Sequence, residues 1–277
     1  MKIGFIDYYL DEWHADNYPE MIKKHSQGKM EVAYGYGMIK SPRTGKTSEA
    51  WCREHGIEHC RTIEEVVEKS DVLMVLSPED AKMHEILSEL PLKSGKKTYI
   101  DKTFAPSKKM AEAIFELAEK NKTPCYSTSA LRYADEYRAY IGKKINAASF
   151  VGACDYNNYS IHHLEPIEML MGGKIYRVMA LTKGDWTELL LEWEDGRIAS
   201  MICTGGETPF IATLLLDGEC ETIEVKSDFF GRFIDDLIRF FETGKIPVSH
   251  EETVRIIAVR EAGLRAMECP GEWVIVV

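Results

Sequence analysis

The chain lacks any long apolar run, any surplus of basic residues and any glycine loop after its first strand. No apolar run approaches the roughly 20 residues of a membrane-spanning helix, and Met1-Lys2 leads into a short strand rather than a signal peptide. The formal net charge of -11 argues against general binding to nucleic acids or to anionic membranes, because both need a basic surface. We therefore expect neither a nucleic acid nor a membrane as a partner.

Disulfide bonds are not expected either. The seven cysteines are odd in number and scattered along the chain, which is typical of free thiols in a reducing compartment, so we predict a cytoplasmic protein. Residues of metal-ligating types do lie close together at Cys52, His55, His59 and Cys60. Their C-x2-H-x3-H-C spacing matches no common structural zinc pattern, so no metal site is predicted.

The composition indicates a globular protein with room for two domains. The chain has 277 residues, of which 45% are hydrophobic and 29% are charged. In its first part, strand patterns alternate with helical patterns, which predicts an α/β domain with a doubly wound parallel sheet. The predicted strands are 3–6, 31–36, 72–76, 98–100 and 124–127. The predicted helices are 12–24, 48–55, 63–69, 79–90 and 107–121.

The second part of the chain predicts an α+β domain. Segments 187–193 and 198–204 flank an Asp-Gly turn and predict an antiparallel hairpin, and segments 213–216 and 221–225 predict another. Two helices follow, the first over 230–243 and the second opened by the capping box Ser249-x-x-Glu252. We predict a first domain over residues 1–126 and a second, largely antiparallel domain over residues 127–277.

Lys102 is the first candidate for chemistry. It directly follows an apolar strand in the sequence T-Y-I-D-K, and ligands of open parallel sheets bind beyond the carboxyl ends of the strands. A lysine in a partly desolvated cleft loses its proton more readily and can act as an acid or a base near neutral pH. The alternative is a solvated lysine at the end of a strand.

A second candidate group lies in residues 158–165, N-Y-S-I-H-H-L-E. The apolar continuation to Gly172 predicts a helix that begins near His162. Imidazole titrates near neutral pH and commonly carries protons, and His162 and Glu165 are three residues apart, so they share one helix face. One of the two adjacent histidines would face a cleft while the other packs. The alternative is a pair of structural or surface histidines.

A basic loop with Lys40, Arg43 and Lys46 follows the second strand. In dinucleotide-binding folds an acidic residue at this place binds the adenosine ribose, and a nearby arginine accommodates a 2′-phosphate. This strand ends in Y-G-Y-G without an acid, which favours NADP over NAD if a dinucleotide binds. The alternative is a solvated basic loop.

Aromatic residues occupy the place of the missing glycine loop. Tyr8, Tyr9, Trp13 and Tyr18 follow the first strand, with His14 among them. Such rings either stack on a sugar or nicotinamide ring or fill an empty cleft.

In these features the chain resembles the Gfo/Idh/MocA family of glucose-fructose oxidoreductase, inositol dehydrogenase and their relatives. Residues 95–103, G-K-K-T-Y-I-D-K-T, look like the family's G-K-H-V-x-x-E-K-P, and Ser77-Pro78 with His84 looks like its T-P-x-x-x-x-x-H. Residues 160–165, S-I-H-H-L-E, followed by an apolar helix and Gly172, look like its G-I-H-x-x-D. In order and spacing, these motifs cover nearly the whole chain.

The resemblance implies a Rossmann domain followed by an open-sheet domain whose exposed face forms a homodimer or a higher homo-oligomer. It implies an NAD(P)-dependent oxidoreductase that transfers a hydride at a hydroxyl-bearing carbon of a sugar, a polyol or a related small metabolite. Lys102 and His162 would be the acid and the base, with Glu165 as a third catalytic residue. The residues assigned to the cofactor, NADP or NAD, are Asp7, Tyr8, Tyr9, Lys40, Arg43, Ser77, Pro78, His84, Asp101 and Lys102. The residues assigned to the substrate are Lys102, Asn158, His162 and His163.

The chain departs from the family at the phosphate loop. Where the family has G-x-G-x-x-G, this chain has Asp7, Tyr9 and Glu12. A pyrophosphate normally rests on glycine amides at a helix N-terminus, so side chains and negative charge here oppose it. In addition, Asn158 stands where the family often has an aspartate. The alternative function is therefore a non-catalytic or repurposed relative that binds a small ligand and has lost dinucleotide binding.

Overall fold

The computed structural model describes residues 1–153 and 155–277, and Cys154 lies outside the described residues. The chain packs into two compact units. The first unit contains Met1–Thr128 and Phe233–Thr253, and the second contains Ser129–Arg232 and Val254–Val277. The division predicted from the sequence, 1–126 and 127–277, differs in assigning residues 233–253 to the later part of the chain. Which function belongs to each of the two units stays a prediction.

The first unit is built around a six-stranded parallel sheet. Its strands are β1 (Lys2–Asp7), β2 (Glu31–Gly37), β3 (Glu58–His59), β4 (Val72–Val75), β5 (Thr98–Ile100) and β6 (Cys125–Tyr126). The strand order is β3-β2-β1-β4-β5-β6, which is the Rossmann order. The helices between the strands are α1 (Trp13–His25), α2 (Ser48–His55), α3 (Ile63–Lys69), α4 (His84–Lys93) and α5 (Lys108–Lys120). The predicted doubly wound parallel sheet is confirmed.

The central strands of this sheet are apolar on both faces because helices cover both faces. Every residue of β4, V-L-M-V, is buried, as expected for a parallel strand between two helical layers. Most of the helices begin at a residue whose side chain binds the first free amides. Thr47, Thr62 and Ser107 do this for α2, α3 and α5, which fixes where each helix starts.

The second unit is built around a seven-stranded sheet. Its elements in chain order are β7 (Ala147–Gly152), α6 (Tyr156–Met171), β8 (Ile175–Lys183), β9 (Trp186–Trp193), β10 (Ile198–Cys203), β11 (Ile211–Leu215) and β12 (Cys220–Glu224), and β13 (Trp273–Ile275) closes it near the end of the chain. The strand order is β12-β11-β7-β10-β9-β8-β13. Among these pairs β7 and β10 are parallel and the others antiparallel. The predicted largely antiparallel sheet is confirmed.

Both predicted hairpins form, but two predicted helix starts are wrong. Helix α4 begins at His84 rather than at residue 79, because a 3-10 turn over Ala81–Met83 precedes it. β9 pairs with β10, and β11 pairs with β12, in antiparallel register. Helix α6 begins at Tyr156 rather than near His162, because the side chain of Asp155 accepts a hydrogen bond from the amide of Asn158 and caps the helix there. The early start puts His162 in the middle of the helix.

Two long helices end the chain, α7 (Phe229–Thr243) and α8 (His250–Glu268), close to where the sequence predicts them. In the first unit, the ring of Phe233 lies 5.9 Å from the ring of Tyr18 and 5.4 Å from that of Tyr99. The late segment 233–253 therefore completes the aromatic core of the first unit.

One face of the second sheet carries a shallow apolar groove of about 480 Å³. Its lining includes Ile198, Leu215 and Trp273, all of which are large and exposed. Exposed apolar patches of this kind are uncommon on a surface that contacts only water.

In the part of the chain that the structure describes, no helix is both long and apolar enough to span a bilayer.

Candidate active site

The candidate site lies at the carboxyl ends of the first unit's strands. The strand order reverses between β1 and β4, and open α/β sheets bind their ligands in the crevice at such a switch point. Three segments meet this criterion. They are the turn after β1, residues 7–12; the segment after β4, residues 77–80; and the segment after β5, residues 101–103. We call them together the crevice segments.

Lys102 follows β5 and links it to the segment after β4. Its side chain is half-buried, and its Nζ lies 3.5 Å from the carbonyl oxygen of Pro78. Among the described residues this carbonyl is its one hydrogen-bond partner, at the outer limit of distance. An ammonium group has three N–H donors, so Lys102 keeps most of its donor capacity for a ligand.

The residue before it, Asp101, is fully buried and held by two side chains. Its Oδ2 lies 2.6 Å from Nδ1 of His14, and its Oδ1 accepts a hydrogen bond of 3.0 Å from the Tyr99 hydroxyl. Burial alone would raise the pKa of Asp101, but the charge and the hydrogen bond of His14 outweigh it and lower the pKa. The carboxylate therefore stays ionised and anchors the backbone next to Lys102.

His14 is fixed in turn by aromatic rings. It stacks on Tyr18 with ring centroids 5.1 Å apart and planes 4° apart, and the Trp13 ring meets it edge-on at 5.4 Å. Its side chain is 10% exposed. The sequence analysis did not assign the His14–Asp101 pair, since nothing in the sequence joins residues 87 positions apart.

Glu12 closes the turn after β1. Its Oε2 accepts a 2.7 Å hydrogen bond from the amide of His14, and its Oε1 accepts one of 2.5 Å from the amide of Ala15. The carboxyl group thus caps α1, although it is 98% buried. Burial raises the pKa of Glu12 to about 7, against the opposing effect of His14 and the two amides.

Asp7 and Tyr9 complete the turn. Asp7 is buried, and its Oδ1 accepts a 3.3 Å hydrogen bond from the Tyr9 amide, while its Oδ2 has no hydrogen-bond partner within the described ranges. Burial, followed by the charge of Glu12, raises the pKa of Asp7 well above its usual value. The Tyr9 hydroxyl donates to Glu79, and Tyr9 is buried whereas Tyr8 is half-buried.

These residues do not fit a pyrophosphate at the place where the fold normally holds one. A pyrophosphate binds the free amides at the N-terminus of the first helix. Here the amides of His14 and Ala15 already donate to the Glu12 carboxylate. The side chain of Asp7 is buried in the same turn, next to the capped amides. A dinucleotide that reached this crevice would meet an acid where the fold usually offers bare amides.

The segment after β4 is strained at Ser77. Its backbone φ is 100°, in a region that residues with a Cβ rarely occupy, and such strain concentrates at functional sites. The Ser77 hydroxyl donates a 2.8 Å hydrogen bond to the carbonyl of Asp80, which closes the segment into a tight turn. Pro78 next to it is half-buried and Ser77 is buried.

His84 supports the site from the interior. It is fully buried, its Nδ1 lies 2.9 Å from the carbonyl of Phe104, and burial lowers its pKa, so it is neutral. Phe104 is two residues beyond Lys102. The predicted contact of His84 with a cofactor would thus be indirect, through the backbone it holds.

The basic loop is tied to the crevice segments by acids. Arg43 lies 3.4 Å from Glu79, and Lys46 lies 3.3 Å from Asp11 and 2.8 Å from Glu54. Lys40 is exposed, and no ion pair of Lys40 occurs among the described residues. The loop is therefore partly neutralised, and Lys40 is its most available cation.

In the second unit, the helix α6 presents two of the predicted residues to one partner. The Ser129 hydroxyl lies 2.5 Å from Nδ1 of His162, and the Ser129 amide donates a 3.1 Å hydrogen bond to Glu165. His162 and Glu165 thus share a helix face, as the sequence predicts. His162 is half-buried, which leaves part of its ring accessible.

Glu165 and His163 lie in the interior. Arg132 donates a 2.6 Å bond to Glu165, and both side chains of this ion pair are buried. Burial lowers the pKa of His163 to about 4, so this histidine is neutral, and it packs edge-on against Phe210. Of the two adjacent histidines, His162 is the accessible one. Ser129 and Arg132 carry no sequence signal that could have linked them to α6.

Asn158 and the metal-ligating types complete the predicted residues. Asn158 is exposed in the first turn of α6, where its amide and its side chain donate to Asp155. Within residues 1–153 and 155–277, no three His, Cys, Asp or Glu side chains are grouped as a metal ion requires.

Comparisons with known proteins identify the fold. No protein-family model and no curated protein matches the chain. Among solved structures, scyllo-inositol dehydrogenase from Lactobacillus casei is similar at 13% identity and a TM-score of 0.77, covering 100% of this chain and 98% of its own. Myo-inositol 2-dehydrogenase from Lactobacillus plantarum is similar at 14% identity and a TM-score of 0.76, covering 100% and 99%.

A third solved structure, GenD2 from gentamicin A biosynthesis in complex with NAD, is similar at 12% identity and a TM-score of 0.77, covering 100% of this chain and 96% of its own. At these identities the likeness establishes the fold. The chain therefore has the two-domain α/β fold of inositol dehydrogenases and related oxidoreductases, which the sequence resemblance implied.

Proposed function

We propose that the chain is an NAD(P)-dependent oxidoreductase that acts at a hydroxyl-bearing carbon of a sugar, a polyol or a related small metabolite. The observation that carries this proposal is the placement of Lys102. Its amino group lies at the carboxyl ends of β4 and β5, beside the switch point, in a fold shared with dehydrogenases. It has donor capacity to spare, and its backbone is anchored by the buried Asp101.

In this proposal Lys102 and His162 move the proton of the reacting hydroxyl. A lysine or an imidazole held within hydrogen-bond reach of a hydroxyl can take up or return its proton as the carbon is oxidised or reduced. The Ser129 hydroxyl orients the His162 ring. Glu165, bound by Arg132, fixes the position of Ser129 through its amide. Asn158 is proposed to border the substrate, whereas the buried His163 packs behind His162 against Phe210.

The proposed cofactor is NADP or NAD. Ser77, Pro78, Asp101, Tyr8 and Tyr9 border the crevice, with His84 behind them and with Lys40 and Arg43 on the neighbouring loop. Because Glu12 holds the amides of α1, the pyrophosphate cannot take its usual place without a change there.

A second function is favoured by that same feature. The Glu12 cap and the buried Asp7 suit a relative that binds a small ligand other than a dinucleotide in this crevice. In this alternative, Lys102 and the His14–Asp101 pair would contact a ligand without phosphate groups.

Titration of the purified protein with NADPH and NADH, followed by nicotinamide fluorescence, tests the choice. Saturable binding that is weakened in Lys102→Ala, but not in the control Lys109→Ala on the exposed side of α5, supports the oxidoreductase and justifies a screen of sugars and polyols. Absence of binding at millimolar cofactor would exclude the first function and leave the second.

We further propose that a second copy of the chain covers the apolar groove of the second sheet. Ile198 is 56% exposed and Leu215 is 45% exposed on this face, and burying such side chains drives association. Light scattering after size exclusion tests this. The wild type should be a dimer or larger, and Leu215→Glu should shift it toward the monomer, whereas Val277→Glu at the chain end should not.

A further inference from the structure

We propose that the Glu12 carboxyl group is a built-in hydrogen-bond acceptor that competes with a dinucleotide for the amides at the N-terminus of α1 and thereby sets which ligands the crevice admits. A ligand with a phosphate or pyrophosphate group must displace this carboxylate, whereas a ligand without one need not. The inference concerns the ligand specificity of the site in the proposed function, on which it rests for the identity of the dinucleotide.

The first support is geometric. Each oxygen of the Glu12 carboxylate accepts one amide of the first turn of α1, at 2.7 Å from His14 and 2.5 Å from Ala15. A phosphate oxygen binds such amides in the same way. The amides of the first turn of α1 are therefore already occupied by an acceptor of the chain itself.

The second support is a comparison with the other capped helices of this chain. Thr47, Thr62 and Asp155 cap α2, α3 and α6 and are exposed, and Ser107 caps α5 and is half-buried. Glu12 caps α1 from a buried position. An ordinary cap needs only a short side chain at the surface. The Glu12 side chain fills the space over the helix end instead of leaving it open.

The third support is the neighbourhood of the carboxylate. Asp7 is buried in the same turn, and one of its carboxyl oxygens has no partner among the described residues. The charge of Glu12 acts on Asp7, and that of Asp101 acts on both. An incoming phosphate would meet the carboxyl group of Asp7 and the charge of Asp101 as well as Glu12. Removing Glu12 frees the amides and removes one of these charges at once.

The test compares ligand binding by three variants with that of the wild type. Glu12→Ser keeps a good helix cap but removes the charge and most of the side chain. Glu12→Gln keeps the size and removes the charge only. Glu20→Ser removes one acid from the exposed face of the same helix and serves as the matched control. Isothermal titration calorimetry measures binding of NADPH, NADH and inorganic pyrophosphate to each, and circular dichroism verifies that each folds.

We expect Glu12→Ser to bind NADPH and pyrophosphate at least about tenfold more tightly than the wild type, which corresponds to the loss of one competing anion–amide contact. Glu12→Gln should lie between the two, and Glu20→Ser should match the wild type. Equal affinities for the wild type and both Glu12 variants, for every probe, would overturn the inference.

The experiment separates this inference from the proposed function. If pyrophosphate binds more tightly to Glu12→Ser while neither nicotinamide cofactor binds any of the proteins, the inference about Glu12 holds and the oxidoreductase does not. If NADPH binds the wild type and both Glu12 variants alike, and pyrophosphate gains nothing, the oxidoreductase stands and the inference fails.

Discussion

The two sides of one crevice differ in what they offer a ligand. At the end of β5, the buried Asp101 is followed by the half-buried Lys102, which keeps most of its hydrogen-bond donors available. At the turn after β1, Asp7, Tyr9 and Glu12 are all buried, and Glu12 occupies the first amides of α1. One side of a crevice can thus present an available donor while the other is filled by acidic and aromatic side chains.

The two sides also differ in the pKa values of their buried carboxyl groups. Asp101 and Glu12 are both buried carboxyl groups close to His14, yet the pKa of Asp101 is lowered and that of Glu12 is raised. Asp101 receives a direct bond from the imidazole, whereas Glu12 receives only two backbone amides. Burial by itself therefore does not decide the charge of a carboxyl group, because the nature of its hydrogen-bond donor can reverse the outcome.

The largest expected effect comes from the end of β5. Lys102→Met should reduce turnover of the substrate found by the screen by about 10²- to 10⁴-fold, the usual contribution of an acid–base group. Steady-state kinetics measures this, with Lys109→Met as the control of equal charge change. Turnover within a few-fold of the wild type would remove Lys102 from the chemistry.

At the end of β5, the buried pair of His14 and Asp101 should contribute most to the free energy of unfolding. Asp101→Asn leaves His14 without its charged partner and should lower the free energy of unfolding by about 3 kcal/mol. The chain offers a matched control in the surface pair of His25 and Asp235, 2.8 Å apart, where Asp235→Asn should cost less than about 1 kcal/mol. Urea denaturation of both variants decides whether burial makes the difference.

The buried carboxyl groups in the turn after β1 should make the stability of the protein depend on pH. A carboxyl group with a raised pKa binds its proton more tightly in the folded state, so its stabilising effect is complete below the usual pKa of 4.5 and is lost as pH rises through about 7. We expect the free energy of unfolding of the wild type to fall by roughly 1–3 kcal/mol between pH 5 and pH 8. The free energy of unfolding of Glu12→Gln should fall by less over the same range.

Four titratable groups face Glu12: Asp7 from β1, His14 and Tyr18 from α1, and Asp101 after β5. The pKa of Tyr18 is raised well above its usual value by burial, so Tyr18 does not titrate between pH 5 and pH 8. Asp7, whose pKa is also raised, contributes in the same direction, so the variant Asp7→Asn should flatten the profile further. A wild-type profile that rises from pH 5 to pH 8 would contradict the assigned burial of these acids.

The smallest effect concerns the strained turn after β4. Ser77→Ala loses the hydrogen bond to the Asp80 carbonyl and keeps the unfavourable φ of 100°, so it should cost about 1 kcal/mol. Ser77→Gly loses the same bond but relieves the strain, so it should cost less. Thermal unfolding of the two variants gives the comparison, and a glycine variant less stable than the alanine one would show that the strain is not relieved.

Local patterns predicted most of the fold and much less of the site. Both hairpins, the parallel sheet and the last two helices follow from turn residues and hydrophobic spacing, which act over a few residues. The start of α6 was missed because Asp155 was not recognised as a cap. The bonds of His14 to Asp101 and of Arg132 to Glu165 join residues far apart in the chain, and no periodicity carries that information. Glutamate is not among the residue types preferred at a helix N-cap, so the cap that Glu12 forms on α1 could not be predicted from its residue type.

The return of residues 233–253 to the first unit has a consequence for synthesis. The ring of Phe240 lies 4.7 Å from that of Tyr126, and the ring of His250 stacks on Phe115 at 3.9 Å. A ribosome makes these partners only after the strands of the second sheet from β7 to β12, residues 147–224, have been synthesised. The nascent parallel sheet therefore keeps part of its aromatic core uncovered until residues 233–253 have been made, and a fragment that ends at Thr128 would lack these partners.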